Sequence, residues 1–320
     1  MPTAAIIAPG RSFDRTLERV RLAEALGYDA VHVPQMDGHD ALTALSAYAL
    51  STQRVQLATN VVPIYSRTPA TMAQTAATLQ QLSGGRFDLG LGVSHRFAVE
   101  RWHGETMGRP ASELKEYVRL VRGILDGRPV APGRRWKSEL RLSGVAPPAR
   151  VRVYGAGLSP AMLRAVGEVC DGVMLWLCSP AYIQEVVVPE VATGRARAGK
   201  PLAGFDIVAN VPVAAELDAT VAFTALRRQL TAYLRLPFYR AVVERSGFGA
   251  DLEAGTASDE LLRSLVVVGG PEPVQRGLTA YREAGVMTPA VSPIPGLDTD
   301  ATLRAAAPRP AEGVKPPAGR

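Results

Sequence analysis

The chain has few of the residues that build metal centres or disulfide-stabilised folds. Its 320 residues include two cysteines and four histidines, and aromatic residues make up 6% of the total. Cys170 and Cys178 lie in apolar surroundings without metal-ligand spacing, and no histidine pair has such spacing with carboxylates. We therefore expect no metal centre, and a protein of a reducing compartment, the cytoplasm.

Long apolar runs and a secretory signal are also missing. No apolar run reaches the ~18 residues that suggest a membrane span. The N-terminal segment MPTAAIIAPG is typical of a first strand and not of a signal peptide. The net charge is +6, but the arginines are dispersed along helical patterns, as on solvated faces. The sequence predicts neither a membrane nor a nucleic-acid partner.

What the chain does contain is a regular alternation of strand and helix patterns. Buried-strand patterns are followed by helical spacing, often opened by Ser-Pro or Thr-Pro. Eight such units are typical of a (β/α)8 TIM barrel, an α/β fold, and an open doubly wound sheet is the alternative. The predicted strands lie at about 3–8, 28–34, 54–62, 87–94, 151–157, 172–178, 205–213 and 264–269.

The alternation predicts a single domain over residues 1–298. Residues 128–148, after the fourth helix, break the rhythm and are expected to form a short insertion, such as a hairpin. A long helical region is expected at 217–246, and the last helix over PEPVQRGLTAYREAG. Residues 299–320, which end in a Pro- and Gly-rich stretch, are predicted to be a disordered tail.

Polar residues at the carboxyl ends of the strands are candidates for function, because a barrel binds its ligands there. His95 lies just beyond the fourth strand and could donate a proton or contact a substrate. Ser159, before Pro160, starts a helix whose free N–H groups could bind a phosphate, although Ser-Pro is also a common helix start. Trp176, at the end of the sixth strand, forms either a pocket wall or part of the core.

Three other features have a structural interpretation that competes with a functional one. The Gly-x-Gly of residues 90–92 serves either a cofactor or close packing at a strand end. Asn60 is either an ordinary strand end or part of a bulge that shapes a ligand bed. His32 lies between two valines and is expected to be a hydrogen-bonded barrel residue rather than a base.

A longer segment carries a resemblance to a known family. Residues 59–93, TNVVPIYSRTPATMAQTAATLQQLSGGRFDLGLGV, resemble the signature region of the bacterial luciferase-like superfamily, in its deazaflavin-dependent (coenzyme F-420) branch. Three further segments agree with that family, namely YGAGLSPAMLRAVGEVCDGVML, LTAYLRLPFYRAVVERSGFG and VVVGGPEPVQRGLTAYREAGV. The resemblance covers roughly residues 3–295, apart from part of the insertion.

The resemblance implies a TIM barrel, a homodimer, and coenzyme F-420 as the cofactor of hydride transfer between its C5 and a small organic substrate. It also implies a non-prolyl cis peptide after the third strand, here Asn60-Val61, behind the deazaflavin ring. The ends of the fourth and fifth strands would hold the ribityl and phosphate groups. The cofactor-binding residues that it implies are Thr59, Asn60, Val61, Gly92, Val93, Ser94, Ala156, Gly157, Leu158 and Ser159.

The chain departs from the family at the residues that would handle protons. The polar pair expected after the second strand is replaced by Gln35 and Met36, which we assign with Trp176 to the substrate pocket. Ser94 replaces a usual glycine, and His95 takes the place of an acidic or polar residue. We therefore predict a reductase with His95 as proton donor. The alternatives are an FMN-dependent luciferase-like monooxygenase and a non-catalytic cofactor-binding subunit.

Overall fold

A closed ring of parallel strands lies at the centre of the molecule. The computed structural model describes residues 1–216 and 218–308. The eight strands of the ring are β1 (Ala4–Ile6), β2 (Ala30–Val33), β3 (Gln56–Thr59), β5 (Phe87–Gly92), β6 (Arg152–Ala156), β7 (Gly172–Trp176), β8 (Asp206–Ala214) and β10 (Thr288–Pro293). Strand β10 pairs with β8 on one side and with β1 on the other, so the ring closes and the predicted (β/α)8 barrel is confirmed.

Helices connect the strands and cover the outer face of the ring. Thr68 and Ser159, both predicted helix starts, accept hydrogen bonds from the amides of Thr71 (3.2 Å) and Met162 (3.4 Å). No helix in the described part of the chain is both long enough and apolar enough to span a bilayer. The helices are α1 (Phe13–Ala25), α2 (Ala41–Ser51), α3 (Pro69–Leu82), α4 (Arg96–Arg101), α5 (Pro110–Leu125), α6 (Pro160–Val169), α7 (Pro180–Tyr182), a π-helical segment (Ile183–Val187), α8 (Val188–Arg197), α9 (Ala219–Tyr233), α10 (Pro237–Arg245), α11 (Gly249–Ala254), α12 (Asp259–Leu265), α13 (Pro271–Glu283) and α14 (Thr299–Ala305).

The strand that closes the ring is not the one predicted from the sequence. The expected eighth strand, 264–269, contains only the short β9 (Val267–Val268), which pairs with the end of β8 outside the ring. The closing strand is β10, whose segment TPAVSP contains two prolines. Proline cannot donate a hydrogen bond to a neighbouring strand, so a proline in a sequence normally argues against a strand. For this reason the sequence pattern did not predict β10.

Two other local predictions need correction, and a third gains detail. The helical region predicted at 217–246 consists of two helices, because α9 ends at Tyr233 and α10 begins at Pro237, which cannot continue the hydrogen-bond pattern. Residues 128–148 contain no helix or strand, so the predicted hairpin is wrong. The segment 299–320 does not begin as a disordered tail, because α14 is a capped helix with the buried residue Leu303. Residues 309–320 lie outside the described residues.

A second short strand, β4 (Val62–Pro63), places the end of β3 against β5. It pairs with Leu91 and Gly92 at the carboxyl end of β5. The chain between Thr59 and Val62 therefore bends at the carboxyl ends of the strands. At Asn60, within this bend, the sequence was compatible with either an ordinary strand end or a bulge. Small residues fill much of the ring below this bend, because four alanines face Tyr154 and Met174 inside it: Ala4, Ala30, Ala58 and Ala290.

Candidate active site

A cavity of about 480 Å³ opens at the carboxyl ends of the barrel strands. Its wall combines residues at or just beyond the carboxyl ends of seven barrel strands with Asn210 of the eighth, β8, and with residues from α9 and α10. The structure brings all the predicted site residues into this wall except Thr59. They are Gln35, Met36, Asn60, Val61, Gly92, Val93, Ser94, His95, Ala156, Gly157, Leu158, Ser159 and Trp176.

Thr59 lies behind the wall and ties two strands together. Its hydroxyl donates to the carbonyl of Gly90 at 2.8 Å and accepts from the amide of the same residue at 2.8 Å. Its side chain is fully buried. The structure therefore gives Thr59 a role in strand pairing, and it does not place the hydroxyl where a cofactor could reach it.

The glycines of the Gly-x-Gly segment serve close packing. A Cβ atom on Gly90 would lie 2.0 Å from the carbonyl oxygen of Thr59, and one on Gly92 would lie 2.6 Å from Cγ2 of Val61. Real Cβ atoms do not approach other atoms so closely, so only glycine fits at these two positions. Ser94, two residues further on, has φ of 56°, a left-handed conformation that favours the glycine usual in the family.

A buried polar cluster forms the floor of the cavity. Nδ2 of Asn60 donates to Oδ1 of Asn210 at 2.8 Å and lies 3.2 Å from Nδ1 of His32. Nδ2 of Asn210 donates in return to Oδ1 of Asn60 at 3.2 Å. The peptide bond between Asn60 and Val61 is cis, as the resemblance implied. The hydrogen bonds of the Asn60 side chain with Asn210 and His32 hold Asn60 at the floor of the cavity.

His32 is neutral in this cluster. Burial, followed by the nearby Arg152 guanidinium, lowers the pKa of His32 to about 4. A neutral ring can accept at Nδ1 from the Asn60 amide, so His32 is the hydrogen-bonded barrel residue that the sequence predicted. Sequence reasoning missed Asn210. Its only signal was a polar residue within the otherwise apolar run IVANVPV of β8.

Five rings from three distant parts of the sequence meet on one side of the cavity, and we call them the aromatic wall: His95, Trp176, Tyr233, Phe238 and Tyr239. The ring of Tyr239 lies 4.7 Å from that of Tyr233 and 5.8 Å from that of His95, between centroids. Trp176 lies edge-on to Tyr233 at 6.3 Å, and Phe238 is 6.3 Å from His95. All five rings line the cavity.

The electrostatics of the aromatic wall are those of neutral groups. Burial lowers the pKa of His95 below its ordinary value of 6.5. Burial also raises the pKa values of Tyr233 and Tyr239 above 10, and both phenols stay protonated near neutral pH. Among the described residues that line the cavity, Arg19 alone carries a full charge, and its Nε donates to Oδ1 of Asp300 at 2.7 Å.

The start of α6 lies beside the aromatic wall, because β6 is the strand between β5, which leads to His95, and β7, which ends in Trp176. Gly157, Leu158 and Ser159 line the cavity immediately before Pro160, the first residue of that helix. The first N–H groups of a helix have no partner within it and carry the positive end of its dipole. This corner can therefore bind an anionic group. Within residues 1–216 and 218–308, no cluster of His, Cys, Asp or Glu is arranged to hold a metal ion.

Comparison with known protein families agrees with this architecture. The model of the family described as luciferase-like monooxygenase matches residues 2–288, which is most of the chain. Seven of the eight barrel strands and most of the cavity lining lie within the matched segment, which ends at the first residue of β10. The chain therefore belongs to the luciferase-like monooxygenase family.

Individual relatives show similarity over most of their length. The chain is 29% identical over 316 residues to a Mycobacterium tuberculosis protein provisionally named a coenzyme F-420-dependent oxidoreductase, covering 84% of this chain and 88% of that protein. It is 27% identical over 288 residues to 5,10-methylenetetrahydromethanopterin reductase from Archaeoglobus fulgidus, covering 83% and 86%. A solved F-420-dependent secondary alcohol dehydrogenase, in complex with an F-420–acetone adduct, superposes with a TM-score of 0.82 at 20% identity, covering 96% of this chain and 98% of that chain.

Proposed function

We propose that the protein is a coenzyme F-420-dependent oxidoreductase that transfers a hydride between the cofactor C5 and a small organic substrate, in the direction of substrate reduction. The observation that carries the proposal is one cavity that joins an apolar wall at Val61 to an anion-binding corner at Ser159. Relatives of similar length whose names include this cofactor support it. We further propose a cytoplasmic homodimer.

The residues present fit such a cofactor. The cavity volume of about 480 Å³ lies in the range of small-molecule sites. Val61 and Val93 would contact the ring from one side, while the N–H groups before Pro160 would hold a phosphate. The bound cofactor supplies the hydride chemistry itself, and the protein supplies position and environment.

His95 is our candidate for proton transfer to the substrate. Its half-buried side chain lies in the cavity wall. The residue follows the carboxyl end of β5, and its ring packs beside that of Tyr239. Its lowered pKa means that only a minor fraction is protonated at neutral pH. In the proposed reduction, that fraction gives its ring proton to the substrate and recovers it from solvent.

An FMN-dependent monooxygenase is the second candidate function. The family description favours it, and an FMN phosphate would fit the same corner at α6. A non-catalytic subunit is the third candidate. Gln35 has an amide side chain, which cannot act as a general acid, and its Oε1 accepts a hydrogen bond from the backbone amide of Ala41 at 3.1 Å. Cofactor choice and turnover separate the three.

The test is a fluorescence titration of the purified protein with oxidised coenzyme F-420 and, separately, with FMN. We expect the dissociation constant for F-420 to be lower than that for FMN by about tenfold or more. Preferential binding of FMN, or oxygen consumption with reduced FMN, would contradict the proposal. Binding of neither cofactor would favour the non-catalytic subunit.

A matched pair of variants locates the site. Ala156 lines the cavity, and its Cβ would lie 3.3 Å from a Cβ on Gly92, so Ala156→Leu narrows the cofactor side. We expect this variant to weaken F-420 binding by about tenfold. The control Ala196→Leu changes an exposed residue of α8 and should leave binding unchanged.

A further inference from the structure

We propose that Asn210 is a positioning residue for the cofactor: it holds Asn60 from across the barrel, and through Asn60 it fixes the position of Val61 in the cavity wall. Asn210 has this role only if the protein binds that cofactor, so the proposal rests on the proposed function. Two reciprocal hydrogen bonds between the asparagine side chains carry it. We call Asn60 and Asn210 the amide pair.

The amide pair consists of the only two asparagines among the 320 residues of the chain. Nδ2 of Asn60 donates to Oδ1 of Asn210 at 2.8 Å, and Nδ2 of Asn210 donates to Oδ1 of Asn60 at 3.2 Å. Each side chain is therefore both donor and acceptor towards the other. A side-chain amide can do this in so short a space because it carries an N–H donor and a carbonyl acceptor on one carbon.

The amide pair joins opposite sides of the ring. Three strands separate β3 from β8 in either direction around the ring, so Asn60, just beyond β3, and Asn210, within β8, meet across it. The backbone N–H of Asn60 donates to the carbonyl of Val33 in β2 at 2.8 Å. The main chain of Asn60 is thus held by a neighbouring strand, while its side chain is held by the opposite one.

His32 sets the direction of the amide pair. Its Nδ1 lies 3.2 Å from Nδ2 of Asn60 and, in the neutral ring, accepts one of the two N–H groups of that nitrogen. The other N–H group goes to Asn210, so both donors of Asn60 are used. The Asn60 amide cannot turn towards a ligand without losing one of these bonds, which suits a brace rather than a ligand contact.

Val61 transmits the position of Asn60 to the cavity. It follows Asn60 directly and lines the cavity. Its side chain lies so close to Gly92 that a Cβ atom on that glycine would be 2.6 Å from Cγ2 of Val61. In the proposed complex Val61 contacts the cofactor ring from one side. A shift of Asn60 would displace this contact surface, and packing contacts weaken steeply with distance.

The first test is a double-mutant cycle on the binding of oxidised coenzyme F-420, followed by fluorescence. Leucine has nearly the shape of asparagine and lacks its polar atoms, so the variants are Asn60→Leu, Asn210→Leu and the two together. We expect each single variant to raise the dissociation constant about tenfold. The double variant should bind no more weakly than Asn60→Leu, because Asn210 acts through Asn60. Circular dichroism and melting temperatures check that the variants fold.

Asn210→Asp separates the hydrogen bonds from the shape of the side chain. A protonated carboxyl can donate to Oδ1 of Asn60 and accept from its Nδ2, as the amide does, whereas a carboxylate can only accept. Burial favours the protonated form in mild acid, and His32, with a pKa of about 4, stays neutral there. Relative to the unchanged protein at the same pH, we expect Asn210→Asp to bind F-420 about tenfold more weakly at about pH 8 and within about twofold at about pH 5. Asn210→Leu should bind weakly at both pH values.

Nuclear magnetic resonance reports on the amide pair without turnover. Because the chain has two asparagines, 15N labelling of asparagine side chains gives two NH2 signals. We expect both signals to shift when F-420 binds, and the remaining Asn60 signal of Asn210→Leu to exchange with solvent at least about tenfold faster. The control Gln74→Leu removes an amide from an exposed position of α3 outside the cavity lining. It should leave both signals and the dissociation constant unchanged.

The possible outcomes distinguish this inference from the proposed function. Losses that multiply in the double variant would show that Asn210 acts independently of Asn60, which overturns the positioning role. An unchanged dissociation constant in Asn210→Leu, or weak binding of Asn210→Asp at both pH values, also overturns it. If the unchanged protein does not bind F-420, the proposed function fails instead, while the exchange rate of the Asn60 signal still reports whether Asn210 holds Asn60.

Discussion

His95 lies among aromatic rings rather than among charges. Among residues 1–216 and 218–308, no carboxylate lines the cavity beside it, so burial dominates and its pKa falls. A group whose pKa is lowered in this way loses its proton as the pH rises through that lowered value. A reaction that needs protonated His95 must therefore be faster in mild acid than at neutral pH.

We expect the reductive turnover rate to be constant in acid below the lowered pKa of His95 and to keep falling as the pH rises above that pKa and through neutrality. His95→Gln should remove this decline and lower the rate by about tenfold or more. The measurement is kcat between pH 5 and pH 8, roughly, with saturating reduced cofactor. His32 does not interfere, because its pKa of about 4 lies below this window.

A second histidine provides the control for that experiment. His103 lies in the loop after α4, outside the cavity lining. His103→Gln should keep the pH profile of the unchanged protein. If His95→Gln retained the same decline with pH, His95 could not be the proton donor.

At the scale of elements, the side chain of Glu116 in α5 binds the backbone of the irregular segment 128–148. The Glu116 carboxylate accepts hydrogen bonds from the amides of Arg134 (2.9 Å), Arg135 (2.8 Å) and Trp136. The Arg135 guanidinium then donates to the carbonyl of Thr106 at 2.6 Å, in the loop that leads away from the cavity. Backbone N–H groups of this segment therefore donate to the Glu116 carboxylate, whereas in a hairpin they would donate to the carbonyls of a paired strand.

Glu116→Gln should loosen this segment without unfolding the barrel. An amide has one acceptor oxygen where the carboxylate has two, so at least one of the three backbone N–H groups of residues 134–136 loses its acceptor. We expect amide hydrogen exchange at these residues to speed up by about tenfold. Glu139→Gln, an exposed residue of the same segment, serves as the control. Unchanged exchange in Glu116→Gln would contradict the anchoring role.

At the scale of the whole molecule, the last described helix packs against the N-terminal part of the barrel. Leu303 of α14 is fully buried, and its carbonyl accepts a hydrogen bond from the Tyr28 hydroxyl at 2.9 Å. Asp300, in the same helix, pairs with Arg19 of α1. Closing strand β10 lies just before this helix, so α14 packs at the point where the ring closes.

We expect Leu303→Ala to lower the free energy of unfolding by about 2–5 kcal/mol, because it leaves a cavity under α14. Leu50→Ala, at a position that is 70% exposed, should change it by less than about 0.5 kcal/mol. Urea denaturation measures both. A small effect of Leu303→Ala would mean that α14 contributes little to the closed barrel.

The sequence alone determined the fold class, the placement of the candidate site residues at the strand ends, and most helix starts. These features follow from local patterns, since strand periodicity, Thr-Pro and Ser-Pro starts, and glycine turns act over a few residues. It also indicated that His32 would be hydrogen-bonded inside the barrel. Such inferences need no knowledge of which distant residues meet.

Only the tertiary structure decided which strand closes the ring, what pairs with Asn60, and what surrounds His95. The proline-containing β10 becomes a strand because β8 and β1 supply partners on both sides. Asn210 meets Asn60 across the barrel, 150 residues apart in sequence. Tyr239 meets His95 through the packing of α10 over the ring. Contacts between distant segments depend on how whole elements pack, and local periodicity does not encode them.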